Sequence, residues 1–439
     1  MYKLKFKNMS RKIHIDSIEY EIREQIMKEL QIKIDGSTFV HNSKPSYIYP
    51  IDEEGDYAYI PFAYGRNCIG GPFNCPDRKS YPTLERKFLG GLRDHQKEVK
   101  TEAISHLNKY GSTIIAAYPG FGKTCMAIYI STKIKLKVMI ITHRIVLIKQ
   151  WERAIEIFCP TAKVQILTAK SVMKDCDFYI MNASNVPKHD KDFYKNIGFL
   201  IVDEVHLIMA EGLSKCMQQL VPRYVLGLSA TPYRDDGLNI LLDLYFGKRK
   251  IYRQLYRKHT VYKIQTSFVP TVEFAKNGKI NWGVILDTQA SDTQRNEMII
   301  RLVKLFPDRV FLILCKRVNQ GQYLVKRLEE EGEDVTSLIG KQQEYEEKSR
   351  ILVGTSSKAG TGFDHPRLDA MILASDIQAY FIQYLGRCMR TEKGEPLIFD
   401  IVDKNPILDR HFKIRQSIYL EHGGSVQNLE KAYPDFEII

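Results

Sequence analysis

Through most of this chain, short blocks of consecutive apolar residues are followed by longer segments in which apolar positions recur every three or four residues. The blocks at 113–116, 138–141, 164–167, 178–181, 199–202 and 224–228 are rich in β-branched and aromatic residues and too short for helices. They predict buried strands. Segment 144–158 has helical spacing, and strands alternating with helices predict an α/β fold with a parallel sheet covered on both faces. The rhythm restarts beyond a basic, tyrosine-rich crossover at 247–263. A helix capped by Asp292 and running to 305, a strand at 310–314, a helix at 320–331 and a strand at 351–353 predict a second α/β domain. Ahead of both, alternation at 2–7 and 12–15 predicts strands, and helical spacing over 17–30 makes Ser17 a candidate cap. The expected organisation is a small α/β accessory domain over 1–85, a first large domain over 86–255 and a second over 256–439.

Composition narrows the class. Of 439 residues, 44% are hydrophobic and 26% charged, which describes a globular chain. No run is long and apolar enough to span a bilayer, and the first fifteen residues lack a signal-peptide core, so the expectation is a protein kept inside a cell, in nucleus or cytoplasm, with no membrane partner. The eight cysteines are scattered singly. Cys68 and Cys75 are the closest pair, but no second pair or nearby His completes a zinc site. A formal charge of +12 makes a polyanion the natural partner.

Candidate chemistry clusters where predicted strands end. Ala117, Tyr118, Pro119, Gly120, Phe121, Gly122, Lys123 and Thr124 lie between a strand and a helix. Glycines there let backbone N–H groups close around phosphate oxygens, Lys123 can reach the β- and γ-phosphates, and Thr124 can ligate magnesium. This predicts binding of a nucleoside triphosphate. Gln96, upstream on a predicted helix, can present its amide to an adenine edge, or it is a solvated helix residue. Asp203 and Glu204 follow the strand at 199–202: Asp203 can hold magnesium and Glu204 can polarise the water that attacks the γ-phosphate. Ser229 and Thr231 offer hydroxyls after the next strand, where hydrolysis could be relayed to a second domain.

The second domain has no phosphate loop of its own, which suggests that it closes on a nucleotide held by the first. Its candidates are the run from Gly360 through Gly362 to Asp364, and a helix carrying Gln383, Arg387 and Arg390. The two arginines, three apart, share a helix face and could both reach a γ-phosphate. The aromatics Tyr57, Tyr59, Phe62 and Tyr64 could stack bases, although packing of a strand pair is the better reading.

Taken together and in order, Gln96, the loop Ala117 to Thr124, Thr142-His143-Arg144 with Gln150-Trp151, Asp203-Glu204-Val205-His206, Ser229-Ala230-Thr231, Lys316, Thr355, Gly362 with Asp364, and Gln383 to Arg390 resemble the motifs of a superfamily 2 helicase. The Asp-Glu-x-His form is similar to the branch holding the eukaryotic repair and transcription helicase, phage recombination helicases and transcript-release helicases of large DNA viruses. Arg234-Asp235-Asp236 departs from the Arg-Glu-Asp common in that branch.

The resemblance implies two RecA-like domains, ATP and magnesium as nucleotide and cofactor, and turnover completed by Arg387 and Arg390. It places Gly362 and Asp364 at the nucleotide, and Ser229, Thr231 and Gln383 in coupling. It also implies a nucleic-acid strand gripped at its phosphates near Thr142, Arg144, Ser184, Lys316, Thr355 and Lys358. Lys316 and Lys358 could equally be solvated. Single-stranded or branched DNA is favoured over RNA, transcription or repair proteins are candidate partners, and a viral member would act in its host's cell. A nucleotide-gated binding protein that separates no strands is the rival reading.

Overall fold

The computed structural model describes residues 12–34, 46–68, 78–209, 214–230, 238–342, 344–359, 365, 367–378, 381–389 and 394–439. The chain divides into two compact units, Met1–Ala117 with Phe121–Arg253, and Tyr118–Gly120 with Gln254–Ile439.

The first unit opens with β1 (Lys12–His14), α1 (Tyr20–Glu29), β2 (Ile32–Ile34), β3 (Ser46–Ile48), β4 (Asp52–Glu54), β5 (Tyr57–Tyr59) and α2 (Phe62–Cys68). β5 pairs antiparallel with β1 and β4, and β2 with β3. Helix α1 begins later than its spacing suggested, with Glu19 and not Ser17 at the cap position. Ile15–Ser17 first tightens into a 3-10 turn closed by the Ile18 N–H on the Ile15 carbonyl. Tyr59, Phe62 and Tyr64 are buried, so the aromatic run packs. Tyr57 alone stays partly exposed, with the Lys12 ammonium 3.9 Å from its ring centre. The strand alternation expected at 2–7 lies outside the described residues.

The first large sheet follows: α3 (Asp94–Tyr110), β6 (Ser112–Ala117), α4 (Lys123–Ile134), β7 (Val138–Thr142), α5 (Ile145–Phe158), β8 (Val164–Leu167), β9 (Phe178–Asn182), β10 (Phe199–Asp203), α6 (Val205–Ile208), β11 (Tyr224–Ser229), α7 (Asn239–Phe246) and β12 (Lys250–Arg253). Its strands lie in the order β12-β6-β11-β10-β7-β9-β8, and neighbours are parallel. β6, β7, β10 and β11 are buried along their whole length, as a sheet with covered faces requires. Lys191 ties the opening segment to this sheet's unit: its ammonium bonds Asp52 at 2.6 Å and Glu54 at 3.0 Å, and lies 4.3 Å from the Tyr59 ring centre.

The expected crossover at 247–263 contains two strands. β12 adds an edge to the first sheet, where alternation buries Ile251 and exposes Tyr252, and β13 (His259–Gln265) belongs to the second. After it come α8 (Trp282–Ser291), α9 (Thr293–Leu305), β14 (Phe311–Cys315), α10 (Val318–Glu330), β15 (Val335–Leu338), β16 (Ile351–Thr355), α11 (Ser356–Ala359), β17 (Ala370–Leu373), α12 (Phe381–Cys388), β18 (Leu397–Val402), α13 (Pro406–Glu421), β19 (Gly424–Asn428) and α14 (Leu429–Ala432). These strands form a second seven-stranded parallel sheet in the order β15-β16-β14-β17-β18-β13-β19. Asp292 caps α9 as its position suggested, accepting the Arg295 N–H at 2.7 Å. The fold is α/β, with two large parallel sheets and a small mixed segment ahead of them.

Candidate nucleotide and nucleic-acid site

In chain order the site segments follow β6, β7, β10 and β11; in space the strands run β6-β11-β10-β7. Four adjacent carboxyl ends therefore carry the phosphate loop, Ser229, Asp203 and Thr142 within roughly 14 Å, at about 4.8 Å per strand. The register fixes this: Ala116 pairs with Ser229, Leu228 with Asp203, and Val202 with Ile141. Ligand sites form at such carboxyl ends in open parallel sheets.

The loop between β6 and α4 turns on two left-handed glycines, Gly120 and Gly122, both at φ 88°. A side chain at Gly122 would be strained by that φ and would meet Gln96 as well, its Cβ falling 2.4 Å from the Gln96 Nε2. Gln96 is buried and held in this corner by two hydrogen bonds: its Oε1 accepts the Arg93 N–H at 2.9 Å, and its Nε2 donates to the Phe121 carbonyl at 2.8 Å. That amide ties the start of α3 to the loop. The Lys123 ammonium donates to the Ala117 carbonyl at 2.7 Å, across the mouth of the loop, and Thr124 follows in the first turn of α4.

Asp203 ends β10, and Glu204 follows in a left-handed conformation, φ 46° and ψ 53°, that sets its side chain apart from the strand direction. Asp203 is buried. Its Oδ2 accepts the Trp151 indole N–H at 2.8 Å and its Oδ1 accepts the Glu204 backbone N–H at 3.0 Å. Burial, then the neighbouring Glu204, push the Asp203 carboxyl up to about 6, against the pull of Trp151 and the Lys123 charge. The same interactions place the loop lysine beside the acidic pair. A buried carboxylate with no arginine or lysine bonded to it among the described residues suits a divalent cation, which would restore its charge. His206, two residues past Glu204, shares a hydrogen bond of 2.8 Å with the Ser229 hydroxyl and stands 3.6 Å from Glu204 Oε2, so the acidic segment and the serine of β11 are joined.

The residues proposed to touch a polymer are more varied. Arg144 occupies the N-cap position of α5, and the buried Thr142 hydroxyl bonds the Arg144 carbonyl at 3.2 Å. Ser184, exposed after β9, bonds Asn182 at 2.7 Å. In the second unit, Lys316 follows β14 with its N–H on Ser375 Oγ at 3.1 Å, and burial draws its ammonium below the usual lysine range. Thr355 ends β16, its hydroxyl 3.3 Å from that of Ser357, and Lys358 lies on α11. Gln383 and Arg387 sit one turn apart on α12, both buried. Among the described residues neither amide atom of Gln383 has a hydrogen-bond partner. Thr231, Gly362, Asp364 and Arg390 lie outside the described residues.

Two contributions were not legible beforehand. Trp151 was visible only as part of a motif, and its indole proves to be a side-chain donor to Asp203. His143, whose ring nitrogens are both buried and without a hydrogen-bond partner among the described residues, is held down to about 4 by burial, then Arg144 and His206.

Residues 90–234 match the family described as Type III restriction enzyme, res subunit. The chain is 40% identical to "Putative helicase 161L" of Invertebrate iridescent virus 6, over 96% of this chain and 99% of the other. It is 24% identical to "Transcript termination protein A18" of Rabbit fibroma virus, over 87% of this chain and 88% of that protein. Among solved structures, S. cerevisiae Dbp5 bound to RNA and ADP BeF3 aligns with a TM-score of 0.55 at 14% identity, covering 75% of this chain and 89% of Dbp5, a likeness of fold.

Proposed function

The chain belongs to the superfamily 2 helicases, in the branch carried by large DNA viruses, and from that membership we propose that it is an ATP-hydrolysing helicase or translocase acting on DNA in repair, recombination or transcription. What carries this reading is the gathering of the phosphate loop, Asp203-Glu204, Ser229 and Thr142 on four adjacent strand ends, with the Lys123 charge acting on Asp203.

In this reading the loop from Ala117 to Thr124 holds the phosphates by its backbone N–H groups, Lys123 leaves the Ala117 carbonyl for the β- and γ-phosphates, and Gln96 gives up its bonds to Arg93 and Phe121 to face the base. Asp203 and Thr124 hold magnesium, which when bound offsets phosphate charge. Glu204 accepts the proton of the attacking water, and the γ-phosphate charge is met by Arg387 and Arg390. Gly362 and Asp364 line the nucleotide, while Ser229, Thr231 and Gln383 couple its state to a strand held at Thr142, Arg144, Ser184, Lys316, Thr355 and Lys358. Transcription or repair proteins of an infected host cell are the expected company. No described helix is long and apolar enough to cross a membrane.

A second reading, release of transcripts or action on RNA, is favoured by the name of the A18 relative. The test is phosphate release by the full chain with no polymer, single-stranded DNA, forked DNA or RNA, beside Glu204→Gln. Loss of a general base removes about 10²- to 10⁴-fold of rate. Stimulation by DNA that the variant lacks supports a DNA motor, and stimulation by RNA alone moves the reading to transcripts. No hydrolysis under any condition leaves a nucleotide-gated binder.

A further inference from the structure

The opposite edge of the first sheet, where its strands begin, carries an ordered row of cations. Sheet bonding continues one residue ahead of most strands. The Val225 N–H meets the Gly111 carbonyl at 2.8 Å, Arg223 meets Gly198 at 2.9 Å, Gly198 and Phe199 meet Lys137 at 3.2 and 3.1 Å, and Asp177 meets Lys163 at 2.9 Å. The edge is thereby hydrogen-bonded without a break from β6 to β8. Lys248 and Arg249 lead into β12, Lys109 stands before β6, Arg223 before β11, Lys135 before β7 and Lys163 before β8. All but Arg223 are exposed.

Of the carboxylates near this edge, Asp177 is engaged by Arg86 at 2.8 Å, Asp192 by Lys195 at 3.6 Å and Asp175 by Lys137, while Glu85 is exposed next to Leu84, whose N–H meets the Lys135 carbonyl at 3.1 Å. The surplus is therefore positive. Helix carboxyl ends account for Lys109 and Lys135, and Arg223 lies 5.2 Å from the Tyr224 ring centre, but neither accounts for Lys163. Seven strands at about 4.8 Å make an edge roughly 29 Å long. That matches about eight base pairs of duplex at 3.4 Å each, along which a phosphate charge falls every ~1.7 Å.

We propose that this edge is a second nucleic-acid contact that seats the phosphate backbone of a duplex, on the side of the sheet away from the nucleotide. The proposal rests on the reading above that the chain acts on nucleic acid. A duplex fits better than a single strand, because single strands are held largely by stacking on exposed aromatics. Of the tyrosines within the row, Tyr224 is buried and Tyr110 is covered by the Arg249 guanidinium 4.2 Å from its ring centre. Seated there, duplex not yet separated stays attached through the nucleotide cycle.

The test uses the full chain and a labelled blunt duplex, in DNA and RNA forms, titrated across salt without nucleotide. The variant is Lys109→Glu, Lys163→Glu and Lys248→Glu together, with the matching triple Gln variant as a gentler control on folding. The expected result is a loss of duplex affinity of at least roughly tenfold, with a salt slope shallower by about two to three. The Gln variant loses less in the same direction, and hydrolysis stimulated by single strands is kept. Equal losses on DNA and RNA duplexes support recognition of phosphates. Unchanged duplex affinity and slope, with single-strand stimulation intact, overturns the proposal alone. Equal capture of polyglutamate, lost in the same variants, overturns it in favour of an acidic protein partner. Neither binding nor stimulation of the unaltered chain by any nucleic acid removes this proposal and the proposed function together.

Discussion

Two sheets of seven parallel strands each bury carboxylates near their carboxyl ends, and they treat those charges in opposite ways. In the second unit Asp403, fully buried, takes the Arg295 guanidinium at 3.0 and 3.1 Å, Thr266 at 2.8 Å and Gln289 at 2.6 Å, while Arg295 also holds the Ala374 carbonyl. Asp400 receives two parallel bonds of 2.8 Å from Arg415 and a third from Tyr419, and the same guanidinium reaches Asp376 at 2.7 Å. These charges are fully occupied in holding β17, β18, α9 and α13 in register. In the first unit Asp203 has a neutral indole and one backbone N–H, with Glu204 adjacent and raising its cost. A buried charge bonded to arginine fixes structure; a buried carboxylate bonded only to an indole and a backbone N–H keeps room to accept a cation.

Breaking the occupied side has the largest expected effect. Arg295→Met leaves Asp403 buried without its cation and should cost about 3–5 kcal/mol, seen as an earlier urea transition, whereas Arg295→Met with Asp403→Leu should recover much of it.

The first sheet's site responds to pH instead. Asp203, raised to about 6, keeps its proton where the unfolded chain, near 3.9, has lost it. It therefore stabilises the fold below about pH 4, and that contribution, up to about 3 kcal/mol, disappears as pH rises through 6. His143, held down to about 4, acts in the other direction: the unfolded chain takes up its proton near 6.5, so stability falls as pH drops from there to about 4. The two oppose each other over the same range. In magnesium-free urea melts, His143→Gln should expose a stability that declines from about pH 4 to 6, and Asp203→Asn one that climbs from about pH 4 to 6.5. Flat profiles in both variants would contradict the assignment.

Trp151→Phe keeps the ring volume and removes the N–H on Asp203. A hydrogen bond to a charged group contributes about 1.5–3 kcal/mol, so hydrolysis should fall about tenfold or somewhat more, and the magnesium concentration giving half-maximal rate should shift with it. The smallest effect is expected where charge is exposed. Lys326→Ala, which opens the surface pair with Glu330 at 3.8 Å, should change stability by under about 0.5 kcal/mol.

The contiguous parts of the candidate site were legible in the chain. Ala117 to Thr124, Asp203-Glu204 and Ser229 are each a few residues long and stand directly after an apolar block, so strand prediction alone puts them at a sheet end. The cap at Asp292 was legible for the same local reason. Ser17 was not, because a 3-10 turn took its place ahead of α1. Nor were β12 and β13, hidden in a basic stretch whose alternation spans only a few residues.

The sequence by itself determined the rhythm of strands and helices, the two glycines that let the loop close, and the residue types needed at the strand ends, because each depends on neighbours a few positions away. Only the tertiary structure decided which strand ends stand side by side, which buried carboxylates meet an arginine and which meet a tryptophan, and that the lysines and arginines ahead of the first sheet's strands fall into one row. Those facts depend on strand order, and chain order β6, β7, β10, β11 becomes spatial order β6-β11-β10-β7 only when hydrogen bonds between distant segments choose the partners.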